Sequence, residues 1–154
     1  MRQALIYLFE DDASLQGLLH EVLRDELGAQ VVVCSKLADL HDHSRQRVPD
    51  AIVADFWGTS QLALSDAERA QIQELGTVAP LILVSARRWL ADTTSDQLGV
   101  AALVAKPIEI DDFVELVRQA LADGAGLLAD ELVDQQAEPL PPREALSVYF
   151  FSFP

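Results

Sequence analysis

Residues 51–55 read Ala51-Ile52-Val53-Ala54-Asp55, so that four apolar residues run directly into a carboxylate. An apolar run without polar alternation is typical of a strand buried on both faces, as in the centre of a parallel sheet. Asp55 is then expected at the carboxyl edge of that sheet, where open α/β folds bind their ligands. A single Asp after a strand also often opens a turn, and this stretch alone does not decide between the two roles.

Four further apolar runs occur along the chain, and helical patterns separate most of them. These runs are residues 4–9, 31–34, 81–84 and 101–105. Apolar residues at helical spacing follow the first run and stop at Gly28, and a capping-box sequence at Ser65 opens another helix. Ser35 is the expected cap of a weaker helix, residues 87–99 have poor periodicity, and the last helix carries an apolar stripe over 110–121.

The alternation of strand and helix predicts an α/β fold. We expect a doubly wound, five-stranded parallel sheet with helices on both faces; if its strand order is 2-1-3-4-5, the first and third strands flank the point at which ligands bind. This pattern occupies residues 1–122, which we predict to be one domain. Residues 123–154 form an acidic, proline-containing tail with an aromatic end, for which a short separate helix is expected near its start. Homodimerisation through the tail and packing of the tail on its own domain both remain open.

The composition argues against several classes of protein. Half of the 154 residues are hydrophobic and the formal net charge is −14, so the surface repels phosphate backbones and we expect no nucleic-acid partner. The single Cys34 excludes an internal disulfide framework and fits a reducing compartment. No apolar run approaches the roughly 18 residues of a membrane span, and a signal-peptide pattern is absent, so we expect no membrane partner and a cytoplasmic location. No glycine-rich phosphate loop follows the first strand, which disfavours nucleotide binding.

Polar residues end four of the predicted strands: Glu-Asp-Asp at 10–12, then Asp55, Ser85 and Lys106. All of these ends meet at one edge of a doubly wound sheet. Carboxylates crowded at that edge stay ionised only beside a cation, and Mg²⁺ suits their oxygen ligands. Lys106 offers a positive charge to a phosphoryl oxygen, and Ser85 offers a hydroxyl donor. The set therefore predicts phosphoryl transfer to a carboxylate.

Over residues 3–122 the chain resembles the receiver domain of two-component response regulators. The resemblance rests on four motifs, which are Phe9-Glu10-Asp11-Asp12, Pro49-Asp50 leading to Asp55, Val84-Ser85-Ala86, and Lys106-Pro107. Their order is that of the family, and so are their intervals of 45, 30 and 21 residues from Glu10 through Asp55 and Ser85 to Lys106.

The resemblance implies that Asp55 accepts a phosphoryl group from a phosphohistidine on a sensor histidine kinase or a His-phosphotransfer protein. It also implies Mg²⁺ as the cofactor, held by Glu10, Asp11, Asp55 and the backbone carbonyl of Trp57. The expected protein is a signalling switch that phosphorylates and dephosphorylates itself, not an enzyme with an external substrate.

The same resemblance implies a switching role for two further residues. Ser85 is expected to hydrogen-bond the phosphoryl group and Lys106 to pair with it, which shifts an equilibrium between inactive and active conformations. The Lys106-Pro107 peptide bond is expected to be cis, as is usual in the family. Side chains at Trp57 and Arg87 are expected to tune the rate at which water resets the switch.

Three departures from the family's pattern keep other functions open. Glu10 replaces the commoner Asp, Trp57 lies in a loop that lacks the usual Pro-Gly, and Leu103 stands where many receivers carry an aromatic residue. One alternative is a pseudo-receiver, a protein-interaction module that acts without phosphorylation. Another is a phosphohydrolase of the aspartyl-phosphate type, which requires a second acid two residues after the nucleophile, where this chain has Trp57.

Overall fold

The sheet has the predicted architecture. The computed structural model describes the backbone of residues 2–55 and 62–134, and the side chains of residues 2–55 and 62–124. Five parallel strands form one sheet in the order β2-β1-β3-β4-β5, which confirms the predicted fold class. The strands are β1 (Leu5–Phe9), β2 (Gln30–Cys34), β3 (Ala51–Asp55), β4 (Leu81–Ser85) and β5 (Ala102–Ala105).

Helices cover both faces of this sheet. They are α1 (Ala13–Leu27), α2 (Leu37–Gln46), α3 (Asp66–Val78), α4 (Ser95–Leu98) and α5 (Ile110–Asp134), with a 3₁₀ helix at Arg88–Asp92. One core cluster joins the sheet to α1 and α5, and the other joins it to α2, α3 and α4. No helix among the described residues is both long enough and apolar enough to cross a membrane.

Several local sequence signals produce the structure expected of them. Gly28 ends α1 in the left-handed conformation, with φ of 61°, which costs glycine little. The Ser65 side chain accepts from Glu68 N and the Glu68 side chain accepts from Ser65 N, so α3 begins with the predicted capping box. The Lys106-Pro107 peptide bond is cis, as predicted.

The helix α2 begins differently from the prediction. Lys36, not Ser35, is its N-cap residue, and no side chain caps it. The carboxyl end of α2 is anchored to the sheet by Tyr7 of β1. The Tyr7 hydroxyl donates to the backbone carbonyl of His43, at 3.0 Å, and to that of Arg47. A weak start is therefore offset by hydrogen bonds at the end of the helix.

The final helix corrects the prediction of a break after Ala122. The helix α5 runs without interruption from Ile110 to Asp134, so the short second helix expected in the tail is part of it. A Cβ atom at Gly124 would lie 3.7 Å from Pro80 Cγ, so α5 still packs against the domain at that point. Each helical glycine costs about 1 kcal/mol relative to alanine, and neighbouring Ala and Leu residues favour the helix. Residues 135–154, and with them the roles predicted for the tail, lie outside the described residues.

Asp50 ties the amino terminus of the chain to the entry of β3. Its carboxylate accepts a hydrogen bond from Leu5 N at 2.7 Å and from Arg2 Nη2 at 2.6 Å, and its own N–H donates to Leu5 O at 2.7 Å. These contacts align the first residues of β1 and β3, which the site at the far end of both strands requires.

Two glycines give a matched test of the packing on the α3 side of the sheet. A Cβ at Gly76 would lie 2.5 Å from the carbonyl oxygen of Gly99, whereas a Cβ at Gly17 would meet nothing within 4 Å. We expect Gly76→Ala to lower the free energy of unfolding by about 1–3 kcal/mol, because two backbone segments would have to separate. Gly17→Ala, in the middle of α1, should raise it by about 0.5–1 kcal/mol. Urea denaturation of both variants measures the difference, and equal stability of Gly76→Ala and the wild type would contradict the close approach.

Candidate functional site

The alternation of side chains along the strands brings three charged residues to one face of the sheet. Glu10, Asp55 and Lys106 stand at the carboxyl ends of β1, β3 and β5. The residues two and four positions before each of them all lie in the core cluster formed with α1 and α5. Because strand side chains alternate between faces, these three residues are expected to project on that same face.

The ammonium group of Lys106 lies between the two carboxylates. Lys106 Nζ is 2.7 Å from Asp55 Oδ2 and 3.2 Å from Glu10 Oε2, and it donates to Glu10 Oε1 at 3.4 Å. The side chain of Glu10 is 1% exposed, against 15% for Asp55 and 21% for Lys106. The pair is therefore largely shielded from water, and each carboxylate depends on Lys106 for compensation of its charge.

Burial and charge act in opposite directions on the pKa values of this group. Burial raises the pKa of Glu10, and the charge of Asp55 adds to that effect, while the N–H of Asp12 and the ammonium of Lys106 oppose it. Burial alone would lower the pKa of Lys106, but the hydrogen bonds and charges of Asp55 and Glu10 outweigh it and raise that pKa. Lys106 therefore remains a cation at neutral pH.

Asp11 completes a set of carboxylates that fits a hard cation. One oxygen each from Glu10, Asp11 and Asp55 can be chosen so that all lie within 4.8 Å of one another. Glu10 Oε2 is buried and has no hydrogen bond from the described residues beyond its 3.2 Å ion pair with Lys106 Nζ, so a lone pair stays available at the site. Carboxylate oxygens are the ligands that Mg²⁺ prefers, and this donor set fits it. The fourth predicted ligand, the carbonyl of Trp57, lies outside the described residues.

Ser85 is adjacent to this group but its side chain is bonded elsewhere. The sheet register places Val84 beside Asp55, and Lys106 N donates to Ser85 O at 3.0 Å. Ser85 continues the face that belongs to the α2–α4 cluster, and its hydroxyl oxygen accepts from Arg87 N at 3.0 Å. The structure gives its side chain no hydrogen bond to Asp55 or Lys106. Ser85 thus lies at the strand end next to Asp55, and its predicted hydrogen bond to a phosphoryl group stays a prediction.

Leu103 also lies on the opposite face from the charged group. It is half-buried and packs against the α2–α4 cluster, beside Leu83 in the sheet register. An aliphatic side chain in this place contributes packing but has no hydroxyl to bond a neighbour.

Two polar residues make contacts at the site that the sequence analysis did not assign. Asp12 N donates to Glu10 Oε1 at 3.0 Å, and Asp12 Oδ1 accepts from Leu15 N at 2.9 Å as the N-cap of α1. Gln16 Nε2 donates to the backbone carbonyl of Glu10 at 2.9 Å. The N-cap role of Asp12 has a sequence signal, an acid three residues before the start of an apolar stripe, whereas a glutamine on a helix gives none.

Of the comparisons with known proteins, the one with solved structures supports the fold. The sequence matches no model of a protein family, and it matches no curated protein sequence. The structure is similar to the signal receiver domain of a modulated diguanylate cyclase from Desulfovibrio desulfuricans G20, with a TM-score of 0.61, 16% identity, and 80% of this chain and 98% of that chain covered. It is equally similar to the signal receiver domain of an HD domain-containing protein from Pseudomonas fluorescens Pf-5, with a TM-score of 0.62, 16% identity, and 81% and 99% covered.

A longer protein shows the same similarity. NtrX from Brucella abortus, in complex with ADP, gives a TM-score of 0.69 at 16% identity over 92% of this chain, which spans 31% of that protein. The chain therefore has the fold of the receiver domains of response regulators, as the sequence motifs indicated. Its acidic cluster of Glu10, Asp11 and Asp55 lies where the resemblance predicts the receiver's site.

Replacing Lys106 tests the electrostatic account of the site. Lys106→Met leaves Glu10 and Asp55 without their shared cation, so we expect the free energy of unfolding at pH 7 to fall by about 1–3 kcal/mol. The raised pKa of Glu10 rises further in this variant, because the ammonium that opposed the rise is gone. The loss of stability should therefore shrink as the pH falls from 7 toward about 4.3, the ordinary pKa of glutamate, because Glu10 becomes neutral in the folded state.

The matched control is Lys36→Met, at an exposed lysine before α2. Urea denaturation at several pH values should show a change within about 0.5 kcal/mol for this control, independent of pH. A pH-independent loss in Lys106→Met would show that the side chain contributes packing and not charge.

Proposed function

We propose that this chain is a two-component receiver that accepts a phosphoryl group on Asp55 in a Mg²⁺-dependent reaction. The observation that carries the proposal is the position of the Lys106 ammonium between Asp55 and the buried Glu10, two of the three carboxylates that cluster with Asp11. A nucleophilic carboxylate, a fixed cation and a set of oxygen ligands at the carboxyl edge of the sheet are the parts that phosphoryl transfer to a carboxylate needs. The phosphoryl donor is a phosphohistidine of a sensor histidine kinase or a His-phosphotransfer protein.

In the reaction, a carboxylate oxygen of Asp55 attacks phosphorus and a new P–O bond forms. The bond between phosphorus and the imidazole nitrogen of the donor breaks, and its electron pair stays on the imidazole. Among the described residues, Lys106 is the hydrogen-bond donor to Oδ2 of Asp55, so Oδ1 is the oxygen we assign as the nucleophile. The product is an acyl phosphate, which water later hydrolyses, so the protein resets itself and has no external substrate.

The charge of the site must be balanced when the phosphoryl group arrives. Glu10, Asp11 and Asp55 are the described residues that would hold Mg²⁺. When bound, Mg²⁺ supplies positive charge to the phosphoryl oxygens and to the crowded carboxylates. Lys106 is within reach of the same oxygens, because it already hydrogen-bonds the carboxylate that becomes phosphorylated.

Phosphorylation would then act on the strand that neighbours Asp55. The Ser85 hydroxyl oxygen accepts from Arg87 N, and its own hydrogen stays available to donate to a phosphoryl oxygen. Turning toward that oxygen would alter the contact with Arg87 N and with it the backbone after β4, where the chain forms a 3₁₀ helix and the single turn of α4. A conformational equilibrium of this short segment is the switch that we propose. The output partner would read the resulting surface.

Phosphorylation of Asp55 can be measured directly. After incubation with acetyl phosphate and Mg²⁺, we expect the intact mass to rise by one phosphoryl group in the wild type and in Asp25→Asn. Asp55→Asn should show no adduct, because an amide is not a competent nucleophile, and chelation of Mg²⁺ should abolish the adduct in the wild type. Asp25 is a suitable control because it is exposed on α1.

The result separates the proposed function from its main alternative. No adduct in folded wild-type protein would favour the pseudo-receiver, which binds partners without phosphorylation. An adduct that persists in Asp55→Asn would refute Asp55 as the acceptor.

A further inference from the structure

Three consecutive acids precede α1, and their carboxylates differ in burial and in hydrogen-bond partners. Glu10 is buried and turns to Lys106, Asp11 is exposed at the edge of the sheet, and Asp12 turns back to cap α1 at Leu15 N. Oxygens of Glu10 and Asp11 nevertheless lie within 4.8 Å of each other. Because like charges repel, this approach requires contacts that hold the connecting backbone.

The side chain of Gln16 supplies one of these contacts. Gln16 N donates to Asp12 O at 2.8 Å, which fixes Gln16 in the first turn of α1. From there its side-chain amide reaches back and donates to the carbonyl oxygen of Glu10 at 2.9 Å. Gln16 is half-buried, so the hydrogen bond is partly shielded from water.

This carbonyl belongs to the peptide unit that joins Glu10 to Asp11. A peptide unit is planar, so holding its oxygen limits rotation of the whole unit and fixes the direction in which the Asp11 side chain leaves the backbone. The Glu10 side chain is held separately, through Oε1 by Asp12 N and by Lys106. Gln16 thus acts on Asp11, the one exposed acid of the cluster.

We propose that Gln16 is a positioning residue for the Mg²⁺ site, which it serves by fixing the Glu10–Asp11 peptide unit so that Asp11 faces Asp55. This inference rests on the proposed function, because it concerns the same carboxylates. Gln16 hydrogen-bonds the Glu10 carbonyl and none of the carboxylate oxygens of Glu10, Asp11 or Asp55, so we expect its effect on metal affinity and not on the chemical step. Residues that orient ligands in this way typically change metal affinity about 10- to 100-fold when they are replaced.

The test compares two substitutions at Gln16 with a matched change elsewhere. Gln16→Met keeps the length of the side chain and removes the donor. Gln16→Glu also removes the donor but adds a negative charge, which on its own would tighten cation binding. Gln73→Met makes the same glutamine-to-methionine change on the exposed side of α3. Titration calorimetry with Mg²⁺, and electron paramagnetic resonance with Mn²⁺, measure affinity without any phosphoryl transfer.

We expect Gln16→Met to bind Mg²⁺ about tenfold more weakly than the wild type, and Gln16→Glu to bind more weakly as well. Gln73→Met should match the wild type. In the acetyl phosphate reaction, the Mg²⁺ concentration for half-maximal rate should rise in Gln16→Met by the same factor, while the rate at saturating Mg²⁺ stays within about twofold. Thermal unfolding without metal shows whether a variant is folded, and a role in stability alone would leave metal affinity unchanged.

Failure of this inference is distinct from failure of the proposed function. Metal binding by Gln16→Met within twofold of the wild type, or tighter binding by Gln16→Glu, would overturn the positioning role and leave phosphorylation of Asp55 unaffected. No Mg²⁺ binding by the wild type at millimolar concentration would overturn both.

Discussion

The contact of Lys106 with Asp55 and Glu10 is the interaction on which the rest of the site depends. It joins the ends of β5, β3 and β1, strands that are separated by as many as 96 residues in the chain. When all are ionised, the three carboxylates of the cluster and the one ammonium carry a net charge of −2. Lys106 lowers the repulsion among the acids, and a single divalent cation, as proposed, would neutralise the charge that remains.

The residues of the proposed phosphorylation site and those of the proposed switch lie on opposite faces of the sheet. Glu10, Asp55 and Lys106 continue the face that packs under α1 and α5, whereas Ser85 and Leu103 belong to the opposite face. A group added to Asp55 can therefore affect the α2–α4 face only through the backbone at the strand ends, where Lys106 N already bonds Ser85 O. The segment that follows Ser85 is short and made of single turns, so it has few internal hydrogen bonds to resist such a change.

The sequence predicts features that arise from periodicity and from chain order. The buried strands and the meeting of Glu10, Asp55 and Lys106 at one edge follow from apolar runs that end in polar residues, whereas the strand order is that of the family the chain resembles. No sequence pattern predicts the hydrogen bond from Gln16 to the Glu10 carbonyl, because a glutamine on a helix can adopt many side-chain conformations. The continuation of α5 through Gly124 was missed because two nearby glycines suggested a break, while packing against Pro80 and the strong helix formers around them outweigh that cost.

The chain is strongly acidic as a whole, so the position of Lys106 beside Asp55 matters for the charge at the site. At a net charge of −14, the protein's long-range field repels a phosphoryl group and attracts cations. At physiological ionic strength, exposed charges are screened beyond about 8 Å, so distant acids act weakly on Asp55. Lys106 and the cation ligands lie well inside that distance, and they are partly buried, where screening is weaker. Lys106 therefore places one positive charge directly beside Asp55 within an acidic surface, and the proposed Mg²⁺ would supply the further positive charge that an approaching phosphoryl group requires.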